Sequence, residues 1–400
     1  MDTPITPSRS AAGSTSERSF RQALLALGVG GFSIGTGEFV IMGLLPDAAQ
    51  ELGVSIPSAG HLISSYALGV VIGAPVLAVL GARMQRRALL MALMALYAIG
   101  NFASAIAPDY AAMVLMRFLS GLPHGTYFGV AALVAAQLAP PGRRAQAVGY
   151  VMLGLTIATL VGVPIAAGLG QWLGWRSAFA LVGAIAVLAV LLVWRWIPKL
   201  PAPADASPWK ELNALRSKQV WLTLGIAAIG FGGMFSVFSY VKPTLMNLAG
   251  LPEAGVPLVL ALFGVGMVAG NLVGSRLADK ALMPTIGWLL VWSGVVLGLF
   301  CFTAYHLWLG AFNVLLVGTA VALGPALQIR LMDVAGEAQT LAAALNHSAF
   351  NLANALGAWL GGITISRGLG WESTGWVGML LAIGGLLIFG WACADMKRRR

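Results

Sequence analysis

The chain has 400 residues, of which 58% are hydrophobic and only 10% are charged. A soluble domain carries about 45–50% apolar and about 25% charged residues, so an ordinary soluble enzyme and a disordered chain are both excluded. The net charge of +10 comes from Lys and Arg spread between apolar runs. That spread points to membrane topology and away from a nucleic-acid partner, which would need the basic residues on one patch.

Residues 1–21 are rich in Ser, Thr and Arg and hold no apolar core, so they read as a disordered cytosolic tail and not as a cleaved signal peptide. Apolar runs then follow at roughly 22–45, 58–80, 88–107, 110–137, 146–170 and 177–197. Each holds the roughly 20 residues that a spanning helix takes. Residues 198–218 break the series with Pro198, Pro201, Pro203 and Pro208 among Lys199, Lys210, Arg216 and Lys218, a cytosolic linker. Six more runs occupy roughly 219–241, 254–275, 284–305, 307–329, 338–365 and 372–393, and a basic tail, 394–400, closes the chain. The expected fold is an all-α membrane protein of twelve spans in two six-helix bundles, 22–197 and 219–393.

With the N-terminus inside, twenty of the 24 Lys and Arg fall in cytosolic segments. Only Arg176, Lys242 and Arg367 fall outside, while Arg117 lies within the fourth span. That bias predicts both termini in the cytosol. Trp172, Trp175, Trp194, Trp196, Trp221 and Trp371 fall near span ends, where interfacial anchors sit. Cys301 and Cys393 lie inside apolar runs, so neither a disulfide nor a metal framework is expected.

The two groups of six share an offset. Gly69, Gly73 and Gly121 match Gly266, Gly270 and Gly318, each 197 residues later. Arg83 matches Lys280 at the same offset, and Gly174-Trp175 matches Gly370-Trp371 at 196. Two parallel six-helix halves place a substrate site near mid-membrane between them. Glycines four apart, Gly121, Gly125 and Gly129 in span 4 and Gly266, Gly270 and Gly274 in span 8, suit close helix contact.

Particular residues carry a resemblance. Gly37-Glu38-Phe39 with Gly43-Leu44-Leu45-Pro46, the stretch from Tyr66 to Pro75, Gly121-Leu122-Pro123-His124-Gly125, and Phe238 to Pro243 resemble AraJ-type sugar and drug efflux permeases. These belong to the drug:proton antiporter branch of the major facilitator superfamily. The resemblance implies the twelve-span fold, a solute exported in exchange for protons, and a charged gate in loops 2–3 and 8–9. The first loop keeps Arg83, Arg86 and Arg87, with Ala78, Ala82 and Gln85 at the family's Gly, Asp and second Gly. The second keeps Arg276, Asp279 and Lys280. The span-4 motif is intact at Arg117, Gly121 and Gly125. The span-5 antiporter motif keeps Gly154, Gly162, Pro164 and Gly168 but has Val163 in place of a Gly.

Ionisable groups inside a membrane are costly and therefore candidates for function. Glu38 and Arg117 lie at similar depth in the first half, roughly 8–10 Å from the outer face at 1.5 Å per residue. They lack charged counterparts at the 197 offset, where Phe235 and Val314 stand. They are expected to couple to protons as a switchable pair, with a static ion pair as the alternative. His124, about two turns below Arg117, either relays protons or is a neutral imidazole held by a carbonyl. In span 11, His347, Asn351 and Asn354 share one helical face, which either lines the substrate cavity or bonds neighbouring helices. Tyr240 and Ser236 on span 7 form a weaker pair of the same kind.

Gly31-Phe32-Ser33-Ile34-Gly35 matches a nucleophile-elbow pattern but sits inside an apolar span. The chain contains no P-loop motif, so it has no ATP site of this kind. No catalytic residue, cofactor or metal is expected. The expected partners are a small sugar or amphipathic drug, protons and membrane lipid, for a monomer in the cytoplasmic membrane. Within that reading an uncoupled facilitator or a ligand sensor that transports nothing remains an alternative.

Overall fold

The computed structural model describes residues 17–200 and 207–398. Most of the N-terminal tail, the middle of the linker at 201–206, and the last two arginines lie outside the described residues. Helices account for nearly all the rest, and no strand occurs among the described residues.

Twelve long helices run in chain order. The first six are α1 (Glu17–Gly43), α2 (His61–Leu80), α3 (Arg86–Ala105), α4 (Tyr110–Leu138), α5 (Arg144–Leu173) and α6 (Arg176–Trp196). The second six are α7 (Lys218–Phe238), α8 (Glu253–Lys280), α9 (Leu282–Thr303), α10 (Leu307–Val334), α11 (Gln339–Ser366) and α12 (Ser373–Arg398). Eleven of these are long and apolar enough to cross a membrane. The exception is α11, which has the length but carries Asn346, His347, Ser348, Asn351 and Asn354. It tolerates them by burying Asn346, His347 and Asn351 among its neighbours. Twelve crossings put both chain ends on one face, called here the terminal face, and leave the opposite one as the far face.

Local chemistry sets the boundaries. The Asp109 carboxylate accepts from the Ala112 backbone N–H at 2.8 Å and caps α4. Pro164 in α5 has no N–H to donate, and a π-helical turn, Ala158–Gly162, lies just ahead of it.

The offset of 197 residues is visible as geometry. A Cβ on Gly69 would collide with the Phe118 carbonyl, and one on Gly121 with the Tyr66 carbonyl, so α2 and α4 touch backbone to backbone. In the second half a Cβ on Gly266 would collide with the Leu315 carbonyl, and one on Gly318 with the Phe263 carbonyl, locking α8 to α10 in the same way. Phe118 and Leu315, and Tyr66 and Phe263, are themselves 197 apart. In lipid there is little hydrophobic drive between helices, so such close van der Waals packing carries the association.

Two apolar clusters belong to the first six helices, one around Leu27, Tyr97 and Val182 and one around Ile41, Leu62 and Phe179. The largest cluster fills the second six and takes in Ala74, Ala132 and Val148 from the first. Trp175 departs from its expected role as an interfacial anchor. It is 3% exposed, packs edge-on against Phe179, and donates to Glu51 at 2.7 Å. Trp172 and Trp194 are exposed, as anchors are.

Candidate functional site

A cavity lies between the halves, with walls drawn from α1, α4, α5, α7, α8, α10 and α11. Helical spacing explains the lining. On α8, Phe263, Met267 and Asn271 are four apart and share one stripe; on α11, His347, Asn351 and Asn354 share another. Glu38 and His124 join them from α1 and α4. Five of the polar residues expected from sequence are thus brought to one cavity.

Two are not. The Ser236 hydroxyl donates to the Gly233 and Thr374 carbonyls, at 2.8 and 2.9 Å, and ties α7 to α12. The Tyr240 hydroxyl donates to the Ala358 carbonyl of α11 at 2.7 Å. Neither lines the cavity, which corrects the expectation of a substrate contact. A lone hydroxyl in a spanning helix satisfies itself most cheaply on the nearest carbonyl.

Arg117 is fully buried beneath this wall. It does not form an ion pair with Glu38 within 4.0 Å. Its guanidinium donates instead to the Gly37 carbonyl at 3.0 Å and to the Leu62 carbonyl at 3.3 Å. It also lies over the Tyr66 ring at 4.4 Å and the Phe179 ring at 5.3 Å. The pairing expected from shared depth is therefore absent in this state. Arg117 grips the backbone beside Glu38, and the carboxylate faces the cavity.

From Arg117 a chain of contacts crosses the molecule. Tyr66 carries the guanidinium on its face and its hydroxyl is 3.1 Å from His124 Nδ1. His124 Nε2 is 3.3 Å from His347 Nδ1, one imidazole donating to the other across the two halves. His347 also stacks on Phe128, with centroids 4.3 Å apart and planes 13° off parallel. Nε2 of His347 has no partner among the described residues.

The terminal face is held shut by contacts between the halves. Asp279 at the end of α8 accepts from the backbone N–H groups of Ala145 and Gln146, at 2.6 and 2.9 Å, and so caps α5 of the other half. Arg144 meets Asp333 at 3.2 Å. Arg86 donates to the Thr340 hydroxyl at 2.9 Å. The linker residue Glu211 accepts from the Leu341 N–H at 2.8 Å, in the first turn of α11. Of the six expected gate residues, Arg86 and Asp279 make these contacts. Arg83, Arg276 and Lys280 lie exposed, and Arg87 is half-buried. Sequence reading missed Arg144, Asp333, Thr340 and Glu211 as gate partners, Asn271 at the cavity, and Tyr66 as the link between Arg117 and His124. Asn271 was the most findable, one turn beyond Met267 in an otherwise apolar run.

On the far face Glu51 accepts from Arg176 Nε at 2.8 Å as well as from Trp175, and Arg176 lies over the Trp175 ring at 4.5 Å. The Arg176 hydrogen bond is the main reason that the Glu51 carboxyl lies below its ordinary pKa.

The sequence profile described as the Major Facilitator Superfamily matches residues 27–333. The inner membrane transport protein YdhP of Escherichia coli K12 is 41% identical over 368 residues, covering 92% of this chain and 95% of that protein. AraJ of the same organism is 34% identical over 377 residues, covering 92% and 95%. Among solved structures, the proton:xylose symporter XylE bound to 6-bromo-6-deoxy-D-glucose superposes with a TM-score of 0.73 at 18% identity, over 93% of this chain and 95% of that one. With two six-helix halves closed around a central cavity, and likeness along nearly its whole length, the chain belongs to the major facilitator superfamily and is a multi-pass membrane transporter, not an enzyme.

Proposed function

We propose that the chain exports a small organic solute, a sugar or a drug-like molecule, across the cytoplasmic membrane in exchange for protons, with both termini in the cytosol. The observation that carries this reading is the placement of Glu38, the one carboxylate of the cavity wall among the described residues, next to a residue held by a buried cation and in the same wall as His124 and His347. A solute entering the cavity competes for the space into which Glu38 points. Protonating Glu38 removes the attraction between it and Arg117, so proton and solute can each bias the same site. Arg117 is the positive charge that acts on Glu38, and it hydrogen-bonds the residue before it.

The gate supplies the moving part of such a cycle. Its contacts lie at the terminal face, which the positive-inside bias assigns to the cytosol. Breaking Arg86–Thr340, Arg144–Asp333 and the Asp279 cap would open the cavity to the cytosol by rocking one half against the other.

The test is transport by purified protein in liposomes under an imposed pH gradient, with arabinose and a panel of amphipathic drugs as solutes. Uphill movement of at least one solute is expected, collapsing with the gradient. Glu38→Gln is expected to abolish uphill movement while keeping energy-independent exchange. Uphill transport by Glu38→Gln equal to that of the parent would remove Glu38 from coupling.

A further inference from the structure

Asn271 is 1% exposed, lines the central cavity from α8, and has neither its amide N–H2 nor its carbonyl oxygen bonded to any described residue. A buried polar group without a partner is a standing cost, and here a donor and an acceptor stand side by side on one planar amide. Much of the cavity lining has nothing to offer it. Phe231, Phe235 and Phe238 on α7, Phe263 and Met267 on α8, and Phe350 on α11 supply rings and a thioether, with no hydrogen-bonding group. Thr156 and Thr159 also face the cavity, but each donates its hydroxyl to its own helix, to Leu153 and Leu155.

The geometry points to a ligand class. We infer that the solute is a flat aromatic ring bearing an adjacent donor and acceptor, a lactam or carboxamide edge, which Asn271 reads with two hydrogen bonds while the phenylalanine rings take the faces. An amide side chain pairs with such an edge in a planar, two-bond arrangement, as it does with the donor–acceptor edge of a base. A sugar finds partners at Glu38, His347, Asn351 and Asn354 but none along this aromatic part of the wall. Its hydroxyls project all round the ring, and those turned to Phe231, Phe263 and Phe350 would lose water without gaining a partner. The inference rests on the cavity being the transport site and narrows its solute from the two classes proposed above to one.

The probe is quinolin-2-one, a fused aromatic lactam, set against its N-methyl derivative, which keeps the ring and loses the donor, and against arabinose. Binding to the full chain in lipid nanodiscs is measured by equilibrium dialysis, with empty nanodiscs subtracting partition into lipid. The lactam is expected to bind the parent. N-methylation and Asn271→Leu are each expected to weaken it at least tenfold, and N-methylation is expected to cost nothing further in Asn271→Leu. Asn271→Leu removes an unpaired buried amide for an apolar group of similar volume, so the fold is retained. Equal lactam binding by parent and Asn271→Leu, no lactam binding by the folded parent, or arabinose binding that ignores Asn271→Leu would each overturn the ligand class. Uptake of the same probes into liposomes separates this from the transport reading. Arabinose uptake without lactam binding keeps transport and removes the ligand class, and lactam binding without any uptake does the reverse.

Discussion

Nε2 of His124 lies 3.3 Å from Nδ1 of His347, and the two residues come from opposite halves of the chain, 223 positions apart. Both are buried, and the pair is the polar contact between α4 and α11 at the level of the cavity. Replacing either histidine by leucine leaves the other's ring nitrogen without its partner. An orphaned buried group costs about 1–3 kcal/mol. Replacing both removes the contact and the orphan together. The double variant His124→Leu/His347→Leu is therefore expected to lose less stability than the two single variants added, read from unfolding midpoints in detergent. Strictly additive losses would show that the rings do not bond.

Arg117 makes a second prediction, because its buried guanidinium bonds two carbonyls on different helices and two aromatic faces. Lysine can reach one carbonyl but has no planar fork to serve both or to stack on Tyr66. Arg117→Lys is expected to lose about 1–3 kcal/mol of stability, at least one charged hydrogen bond. Arg117→Ala is expected to lose more, since the Gly37 and Leu62 carbonyls lose their donor and a void opens between Tyr66 and Phe179. Equal stability of the lysine variant and the parent would show that the fork is not used.

The spans were legible because an apolar run of spanning length is a local signal, and α11 was legible by position although Asn346, His347 and Asn351 weaken its hydropathy. The halves were legible because Gly69 and Gly121, and Gly266 and Gly318, must repeat where backbones touch. Depth was legible too: Glu38 and Arg117 do lie close together, since Arg117 holds the carbonyl of Gly37. What depth along a helix does not give is the direction a side chain takes around it, so the guanidinium's choice of carbonyls over the carboxylate was not. Nor were Arg144–Asp333 and the Asp279 cap on α5, which join residues 189 and 134 apart and depend on how the two halves stand in this state.

A pH effect is expected on the far face. The Arg176 hydrogen bond holds the Glu51 carboxyl below its ordinary pKa, so the folded state favours the carboxylate. The contribution to stability is then fully present above the unfolded value, about 4.3 for glutamate, and is lost as pH falls through the lower folded value. Glu51 is half-exposed, so the effect is small and sensitive to salt. Unfolding midpoints of the parent and Glu51→Gln, followed from pH 7 to pH 3, are expected to converge at the acid end. A difference that stays constant across that range would exclude ionised Glu51 as the source.

The terminal gate supplies the last prediction. Among the described residues, Asp279 is the only gate residue from the second half that holds backbone N–H groups of the first, at Ala145 and Gln146. It serves α5 as an N-cap reached from another bundle, and it exists only while the halves are closed. Loss of a capping carboxylate costs about 0.5–2 kcal/mol. Here that cost falls on the closed state alone, because in the open state water satisfies both N–H groups. The closed-to-open ratio is thus expected to fall by about 2- to 30-fold in Asp279→Ala, at about 1.4 kcal/mol per factor of ten. Met152 lies two turns inside α5 from the capped end, is 9% exposed, and lines the cavity. A cysteine at Met152, in a background with Cys301 and Cys393 replaced by alanine, reports the opening by its rate of labelling with a membrane-impermeant maleimide applied from the side of the termini. Asp279→Ala is expected to speed labelling by the same factor. Asp279→Asn keeps one acceptor oxygen and is expected to fall between Asp279→Ala and the parent. An unchanged rate in Asp279→Ala would mean that Arg144–Asp333 and Arg86–Thr340 hold the face shut without the cap.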